Sequence, residues 1–506
     1  MSVFADYLLE IEWDPVGSPG TWTDETDNLL TIESQRGRDY ASQLTGRASP
    51  GQLIAQLRNP DGRYSSFRSD SPLFGLIVPG LKVRWRTTAP SATTLWQGFL
   101  ESIEPSPGGR RDIPTVTLRA SGPLSRIEAK KASTAVFTSL ATGTAVGHVL
   151  DDADWPAGDR TLDTGQVTMA RWKADGDDAL FHLREIEDTE LGYIGESRDG
   201  DIVFEDVHHL LKSPHTASVA TFSDASGAAL SYDEIRQLDP WREIYNLFRA
   251  SVTLYETQAL AVLWTLAEEA EILAGDDIEF WARYPNPDSP TEAHSVDAWT
   301  TPVASTDYTA NDQSGGGGSD VTADVSVAVS KLANEMKITL TNNGSVTAYI
   351  TLLQARGTAV FKLDPIRRQV EDATSQTAFG VRTFPLPGPF YPDIATAQSF
   401  VEYGLSRYKD PVPVMSLTFH ANQSSDHMTE ALARDVSDRI TVKADATNAA
   451  GAQLGIDQDF FIESIAHRYS LAGHWVTLEL SDAEKIGGYW VLGVSELGVE
   501  TRLVPA

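Results

Sequence analysis

Four groups of residues in this chain invite a catalytic or binding reading. Glu101 and Glu463 could act as the two carboxylates of a glycosidase, which sit about 5–9.5 Å apart across a sugar bond. Both, however, occur in one short phrase, Phe99-Leu-Glu-Ser-Ile103 and Phe461-Ile-Glu-Ser-Ile465. A carboxylate repeated in the same strand of two similar units argues for one structural role played twice, against one shared active site. His208-His209 is the tightest histidine pair. Neighbours on a strand point to opposite faces, so they suit a metal poorly and are expected to be surface or interface histidines. Asp151-Asp152-Ala153-Asp154 opens like a calcium loop but lacks the central glycine and the bidentate glutamate at position 12, so it is expected to end a helix. Twelve tryptophans could line a carbohydrate groove, yet their spread along the whole chain fits core and interface positions.

No H-E-x-x-H, G-x-S-x-G or Walker sequence is present. The run Ser314-Gly-Gly-Gly-Gly-Ser319 has no Gly-Lys-Ser/Thr ending and reads as a flexible loop tip. Cysteine is absent, which removes disulfides, thiolate metal sites and cysteine nucleophiles. The expected site list is therefore empty: no catalytic residue, no cofactor, no metal ligand, and no enzyme.

The elements that position these residues follow from pattern. The 506 residues suffice for three to five domains, at about 100–200 residues each. With 71 acidic and 40 basic side chains the formal charge is −31, which repels nucleic acid and anionic membranes and excludes a DNA-binding regulator. No run of 18 apolar residues exists to span a bilayer, and the acidic opening MSVFADYLLEIEWD is not expected to be a signal peptide.

Residues 1–125 read as strands: Leu81, Val83 and Trp85 alternate with Lys82, Arg84 and Arg86, and further strands are expected over Leu95–Glu104 and Pro114–Ala120. Residues 126–222 read as a small α+β domain. Its helix from Asp178 carries Ala179, Leu180, Leu183 and Ile186 on one stripe with Gly192 beyond its end, a second helix covers Thr144–Asp152, and Asp199-Gly200 turns a hairpin. Residues 256–359 read as an inserted acidic β-sandwich, since Ser251–Ser330 holds fourteen acids and one base, Arg283; Asn343-Gly344 predicts a type I′ hairpin there. Residues 223–255 and 360–485 form a further β unit with one helix, Ile394–Tyr408, capped by Asp393. The apolar arm 486–506 is expected to pack elsewhere.

The chain also resembles itself. Val116-Thr-Leu118 follows Phe99 by seventeen residues, and Val476-Thr-Leu478 follows Phe461 by fifteen. Upstream, Lys82-Val-Arg-Trp-Arg-Thr matches Arg439-Ile-Thr-Val-Lys-Ala as an alternating basic strand. Three elements in one order predict two copies of one β-barrel, and three such subunits would offer six barrels around an axis. The expected fold is mainly β with a smaller α+β domain, two related β-barrels and an inserted β-sandwich.

Several phrases resemble siphophage tail proteins and the wider baseplate-hub family. They are Gly37-Arg-Asp-Tyr40, Leu44-Thr-Gly-Arg-Ala-Ser-Pro-Gly51, Leu57-Arg-Asn-Pro-Asp-Gly-Arg-Tyr-Ser65, Trp96–Glu104, Phe461–Ile465 with Gly473-His-Trp475, and the closing Tyr489-Trp-Val-Leu-Gly493 with Leu497–Leu503. With Asp372–Pro413, the similarity covers about 300 residues at both ends. It implies that the barrels are tail-tube-like and that the chain is a structural virion protein, a tail hub at the distal end of a phage tail. The hub would be a homo-trimeric, pseudo-hexameric ring joining a sixfold tail tube to threefold tip proteins and leaving a channel for the genome. Implied partners are tail-tube or distal-tail ring proteins, the tape-measure protein and other tail-tip proteins, with DNA only in transit and no membrane insertion. Two alternatives stay open: a carbohydrate-binding or glycan-degrading tail-tip protein, and a hexameric distal-tail adaptor ring.

Overall fold

Strands that bury alternate residues set the architecture, because such a strand is stable only with one face against a core. A computed structural model of the chain describes residues 4–14, 20–38, 47–108, 113–238, 244–284, 293–386, 388–411, 413–444, 447–448, 451–452, 454–483, 489–490 and 502–503. The protein is mainly β, with several sheets. Among the described residues, thirteen strands form one sheet. Seven come from the N-terminal region: β1 (Asp6–Glu12), β2 (Trp22–Asp24), β3 (Leu29–Gly37), β4 (Gln52–Arg58), β5 (Lys82–Ala89), β6 (Thr93–Ser106) and β7 (Thr115–Ser121). Six come from later: β8 (Thr221–Ser223), β9 (Glu234–Leu238), β10 (Val414–His420), β11 (Arg439–Ala444), β12 (Ile456–Ser470) and β13 (Gly473–Asp482). Their order is β9-β10-β13-β12-β3-β4-β7-β6-β5-β1-β2, with β11 on β12 and β8 on β11.

One apolar cluster lies under this whole sheet. Leu53, Val116 and Leu118 of the first half join Leu417, Phe419, Val476 and Leu478 of the second, all fully buried. Each such side chain contributes about 1.5–3 kcal/mol. Leu81, Val83 and Trp85 point inward, as do Ile440 and Val442. The sheet continues through the β3–β12 junction with the same face inward, so both sets fill one cluster rather than two.

A second cluster holds α1 (Thr142–Asp152) and α2 (Ala179–Glu190) against the hairpin Tyr193–Glu196 and Ile202–Glu205, which turns through Gly200 at φ +85°. Ala179, Leu183 and Ile186 are fully buried and Leu180 packs at the margin. The left-handed residue ending α2 is Leu191 (φ +49°) rather than Gly192. A further helix, α3 (Ile394–Tyr408), begins where Asp393 Oδ1 accepts the Thr396 N–H at 2.7 Å, and lays Ala397, Val401 and Tyr408 on Phe248. It is not alone in 360–485 as expected, since Ala373–Phe379 and Ser425–Ala433 are helical too, each capped by a side chain at its start.

Residues 255–362 fold as two sheets around their own core of Met336, Ile338, Leu340, Ile350 and Leu353. Asn343-Gly344 does not make the expected hairpin. Glu335–Asn342 pairs only within the three-stranded sheet and Ala348–Lys362 only within the six-stranded one, so the turn is a corner between sheets. The buried Asn342 amide holds that corner, donating to the carbonyls of Ile272 (3.0 Å) and Val346 (2.8 Å). The glycine run forms a tight turn leading into a short strand, Gly317–Asp320, paired with Tyr308–Gln313.

Both ends of this unit leave side by side, since Tyr255 pairs with Lys362. Joining residues 254 and 363 by a short turn is therefore expected to leave the rest folded. The measurement is retained cooperative unfolding and retained hydrogen-exchange protection in β3, β4, β10 and β13. Collapse of protection there would show that the insertion is integral. The expected packing of the arm 486–506 lies outside the described residues, apart from short paired strands at Tyr489–Trp490 and Arg502–Leu503.

Candidate functional site: the internal seam and the open face of the sheet

The two halves of the sheet match strand for strand. The first runs β3-β4-β7-β6-β5 and the second β9-β10-β13-β12-β11. The register repeats as well. Phe99 and Leu100 face Ser121 and Ala120; the ladder then slips at Glu101, and Ser102 and Ile103 face Arg119 and Leu118. In the second half Phe461 and Ile462 face Ser481 and Leu480; the ladder slips at Glu463, and Ser464 and Ile465 face Glu479 and Leu478. Lys82 opposite Phe99 matches Arg439 opposite Phe461. A β-bulge bends its strand and strengthens the local twist. Both Glu-Ser-Ile phrases therefore mark the point where a long strand turns away from one neighbour and becomes free to meet another.

In the second half that neighbour is β3 of the first. Thr31 through Gly37 pair antiparallel with Ser470 through Ser464. Gly37 has φ +117°, and a Cβ there would lie 2.3 Å from the Glu463 carbonyl oxygen, so glycine is required by conformation and by space. Beside the seam the two glutamates diverge. Glu101 is exposed, while Glu463 is buried, ion-paired to Arg38 Nε at 2.7 Å and hydrogen-bonded by Ser481 Oγ. They do not form a carboxylate pair.

Arg38 also lies 4.3 Å over the Tyr193 ring. Arg36 pairs with Asp435, which Arg198 holds from the other side at 2.9 Å. Glu205 accepts from Ser437 Oγ at 2.7 Å, and burial raises its pKa. Glu196 accepts the N–H groups of Gly51 and Leu124 at 2.7 and 2.6 Å, and burial pushes its pKa up to about 7. These groups staple both sheet halves to the α+β unit. Sequence reading missed them, because the partners lie up to about 400 residues apart and no local pattern links them.

A second buried chain crosses the seam on the core side. Tyr7 Oη lies 2.7 Å from His474 Nδ1, and His474 Nε2 lies 3.0 Å from His467 Nδ1, with Trp85 edge-on to both imidazoles. Burial drives the His474 pKa down to about 3 and that of His467 well below its ordinary value.

The opposite face is wet. From β9 to β6, beyond the bulges, alternation turns Thr31, Gln35, Gln52, Gln56, Thr117, Ser416, Thr418 and Thr477 away from the core, the three glutamines exposed and the hydroxyl residues half-buried. Charges on this stretch balance: Glu33, Glu104, Glu234 and Glu479 against Arg58, Arg119, Arg236 and Arg468. Arg119 pairs with Glu104 at 3.4 Å, Arg236 with Glu234 at 2.6 Å, and Arg468 lies 5.3 Å over Trp475. A cavity of about 390 Å³ opens at the seam between Glu33, Gln52, Arg468 and Trp475.

The remaining candidates are committed elsewhere. His208 and His209 sit on a single 3₁₀ turn instead of a strand, because Asp206 accepts the His208 N–H on Oδ1 (3.0 Å) and the His209 N–H on its carbonyl (2.9 Å). His209 Nδ1 lies 2.8 Å from Asp163. Burial alone would depress that imidazole, but Asp163 and Glu205 outweigh it and raise its pKa. Asp151 pairs with Arg160 at 2.6 Å and Asp152 accepts the Ser133 N–H at 2.6 Å, at the end of α1 as expected. Among the described residues no group of three or more His, Asp or Glu is placed to hold a metal, and no helix is long and apolar enough to cross a membrane.

No protein-family model matches the sequence, and no curated protein does. Solved structures do. The tail protein from Neisseria meningitidis MC58 is 10% identical, with a TM-score of 0.51 over 96% of this chain and 100% of its own. The 43 kDa tail protein of prophage MuSo2 from Shewanella oneidensis is also 10% identical, with a TM-score of 0.47 over 96% of this chain and 98% of its own. The chain thus shares the fold of the Neisseria tail protein along nearly its whole length.

Proposed function

We propose that this chain is a structural hub of a phage tail, in which three copies close a ring of six sheet units around a channel at the distal end. The observation that carries the reading is the strand-for-strand repeat with its shared bulge. A subunit holding two equivalent units, already joined edge to edge, has the geometry that lets a threefold ring meet a sixfold tube. The Neisseria tail protein that shares its fold supports a tail setting, and the resemblance of its sequence phrases suggests the partners: tube or distal-ring proteins on one side, tip proteins on the other.

The open face lines the channel in this reading. Gripping a phosphate backbone takes clustered, unneutralised Lys and Arg. Here hydroxyls and amides dominate and the arginines Arg119 and Arg236 have carboxylate partners, so DNA slides without being held. The inserted sandwich carries the largest single share of the acidic excess and is read as an outward decoration, while the charges on the open face balance. A glycan-binding role is the weaker alternative: Trp475, the aromatic at the cavity, already stacks on His420 at 4.8 Å.

Light scattering of the purified chain is expected to give about 165 kDa, three times 55.1 kDa, and class-averaged electron micrographs a ring with an axial hole. A mass near 330 kDa, about six chains, would favour the adaptor ring, and a monomer at every concentration would overturn the ring reading.

A further inference from the structure

One hairpin tip of the inserted unit is docked into the α+β unit. Strands Val325–Lys331 and Glu335–Asn342 turn through Leu332–Asn334, where the Leu332 N–H donates to the Glu335 carbonyl at 2.8 Å. Backbone bonds pin that turn: the Ala333 and Asn334 carbonyls accept the N–H groups of Val296 and Tyr284 at 2.8 and 2.7 Å. Across the junction Thr134 ties the turn to the segment that follows the strand Thr168–Trp172. Its carbonyl accepts the Ala333 N–H at 2.8 Å, its N–H donates to the Ala174 carbonyl at 3.0 Å, and its Oγ1 accepts the Ala174 N–H at 2.9 Å. Lys173 and Asn334, 161 residues apart in sequence, are thereby brought face to face.

Lys173 is 8% exposed, and its Nζ donates to Asn334 Oδ1 at 2.9 Å. Asp175 Oδ2 lies 3.5 Å from the same nitrogen, and Asp175 Oδ1 lies 3.7 Å from Nε2 of the buried His182. A C=O bond is about 1.23 Å long, so the Asn334 carboxamide carbon is within about 4 Å of the amine. That is close to the roughly 3–3.5 Å of a pair poised to react. Burial lowers the Lys173 pKa, outweighing the opposite pull of Asp175. The neutral, nucleophilic amine is therefore more populated here than on a solvated lysine.

We propose that Lys173 and Asn334 join through an amide bond that forms within the folded chain, with Asp175 carrying the proton. Neutral Nζ attacks Cγ, so the new N–C bond forms and an electron pair of the C=O bond moves to Oδ1. Asp175 takes the proton that Nζ sheds and delivers it to Nδ2. The bond from Cγ to Nδ2 then breaks, ammonia leaves, and Oδ1 regains its double bond. One amine and one carboxamide thus give one secondary amide and one ammonia, so no oxidant, metal or co-substrate is consumed. The fold supplies the proximity, because both partners are carried on hydrogen-bonded backbone. The bond fastens the inserted unit at a second place, away from its neck where Tyr255 pairs with Lys362. It stands independently of the ring reading.

Intact-mass spectrometry of the purified chain is expected to read about 17 Da below the sequence mass, the loss of one ammonia. A protease digest is expected to yield one branched peptide joining Lys173 to Asn334. Lys173→Arg keeps the charge but removes the nucleophile, and Asn334→Ala removes the carboxamide; each is expected to restore the full mass. Asp175→Asn, at a partly exposed carboxylate, is expected to fold like the parent and to lose ammonia about 100-fold more slowly. A parent that keeps its full mass after prolonged incubation, with its native fold verified by circular dichroism, would overturn the bond. So would a loss of the same size that persists in Lys173→Arg, the mark of a succinimide formed at an asparagine. If Lys173→Arg fails to fold, the branched peptide and Asn334→Ala decide the matter, and a digest of the parent without that peptide overturns the bond. Ammonia loss at the parent's rate in Asp175→Asn would overturn the part given to the carboxylate.

Discussion

Glu463→Gln is expected to destabilise the fold by about 3–5 kcal/mol, whereas Glu101→Gln, at the equivalent point of the other copy, shifts stability by less than about 0.5 kcal/mol. Both residues sit on the same bulge, so the backbone role is common to them. What differs is the surroundings. Glu463 is 3% exposed and faces Arg38, whose own side chain is held between β3, Tyr193 and Glu205. Removing its charge leaves a buried guanidinium without its main partner, and that uncompensated charge sets the cost. Glu101 is solvated, and its loss strands nothing. Urea unfolding of the two variants beside the parent measures the contrast. Equal effects would mean that the bulge, and not the ion pair, is what the glutamate serves. Replacing Arg38 and Glu463 together by apolar residues of similar volume is expected to recover much of the loss, since breaking a buried pair costs more than exchanging it.

The second large effect is a loss of stability in acid that belongs to the histidine chain. In the native state His474 is neutral with a pKa near 3, and His467 is also held far below its ordinary value. In the unfolded chain both have ordinary values near 6.5. Above about pH 6.5 neither state is protonated and their contribution to stability is fully present. As pH falls from 6.5 towards 3 the unfolded state takes up protons that the native state refuses, and stability is lost. For His474 the total is on the order of 5 kcal/mol, reached only near pH 3. Glu196, with its native pKa near 7, acts oppositely: it adds stability as pH falls from 7 through the ordinary carboxylate range. The two are separated by comparing the parent with His474→Gln in urea from pH 7.5 to 4. The variant's curve is expected to fall less steeply below pH 6.5, narrowing the gap between the two proteins. Parallel curves would mean that His474 is protonated in the folded state.

Helices and strands were legible wherever burial is one-sided. Ile394–Tyr408 was predicted end to end, because Asp393 at its start, Pro411 beyond its end and one apolar stripe between them agree. Asn343-Gly344 misled, because the dipeptide specifies a tight turn but not which strands it joins. Asn342, buried at that corner, sends the chain into the other sheet. His208-His209 misled for a similar reason. Alternating neighbours suggested a strand, and the Asp206 carboxylate folded the backbone into a turn instead.

The duplication is legible along the chain alone. A five-strand unit needs the same inward residues, the same bulge and the same hairpin each time it is built, so Phe-x-Glu-Ser-Ile and Val-Thr-Leu survive as readable phrases in both copies. What those phrases are for follows from the folded contacts. The tertiary structure joined the copies through β3 and β12 in one chain, put a single core beneath both, and turned equivalent glutamates into a buried anchor and a solvated edge. The reason is physical: pattern along a strand fixes which face is buried. Which edge meets which, and which charge finds a partner some 400 residues away, depends on contacts that leave no periodic trace in the sequence.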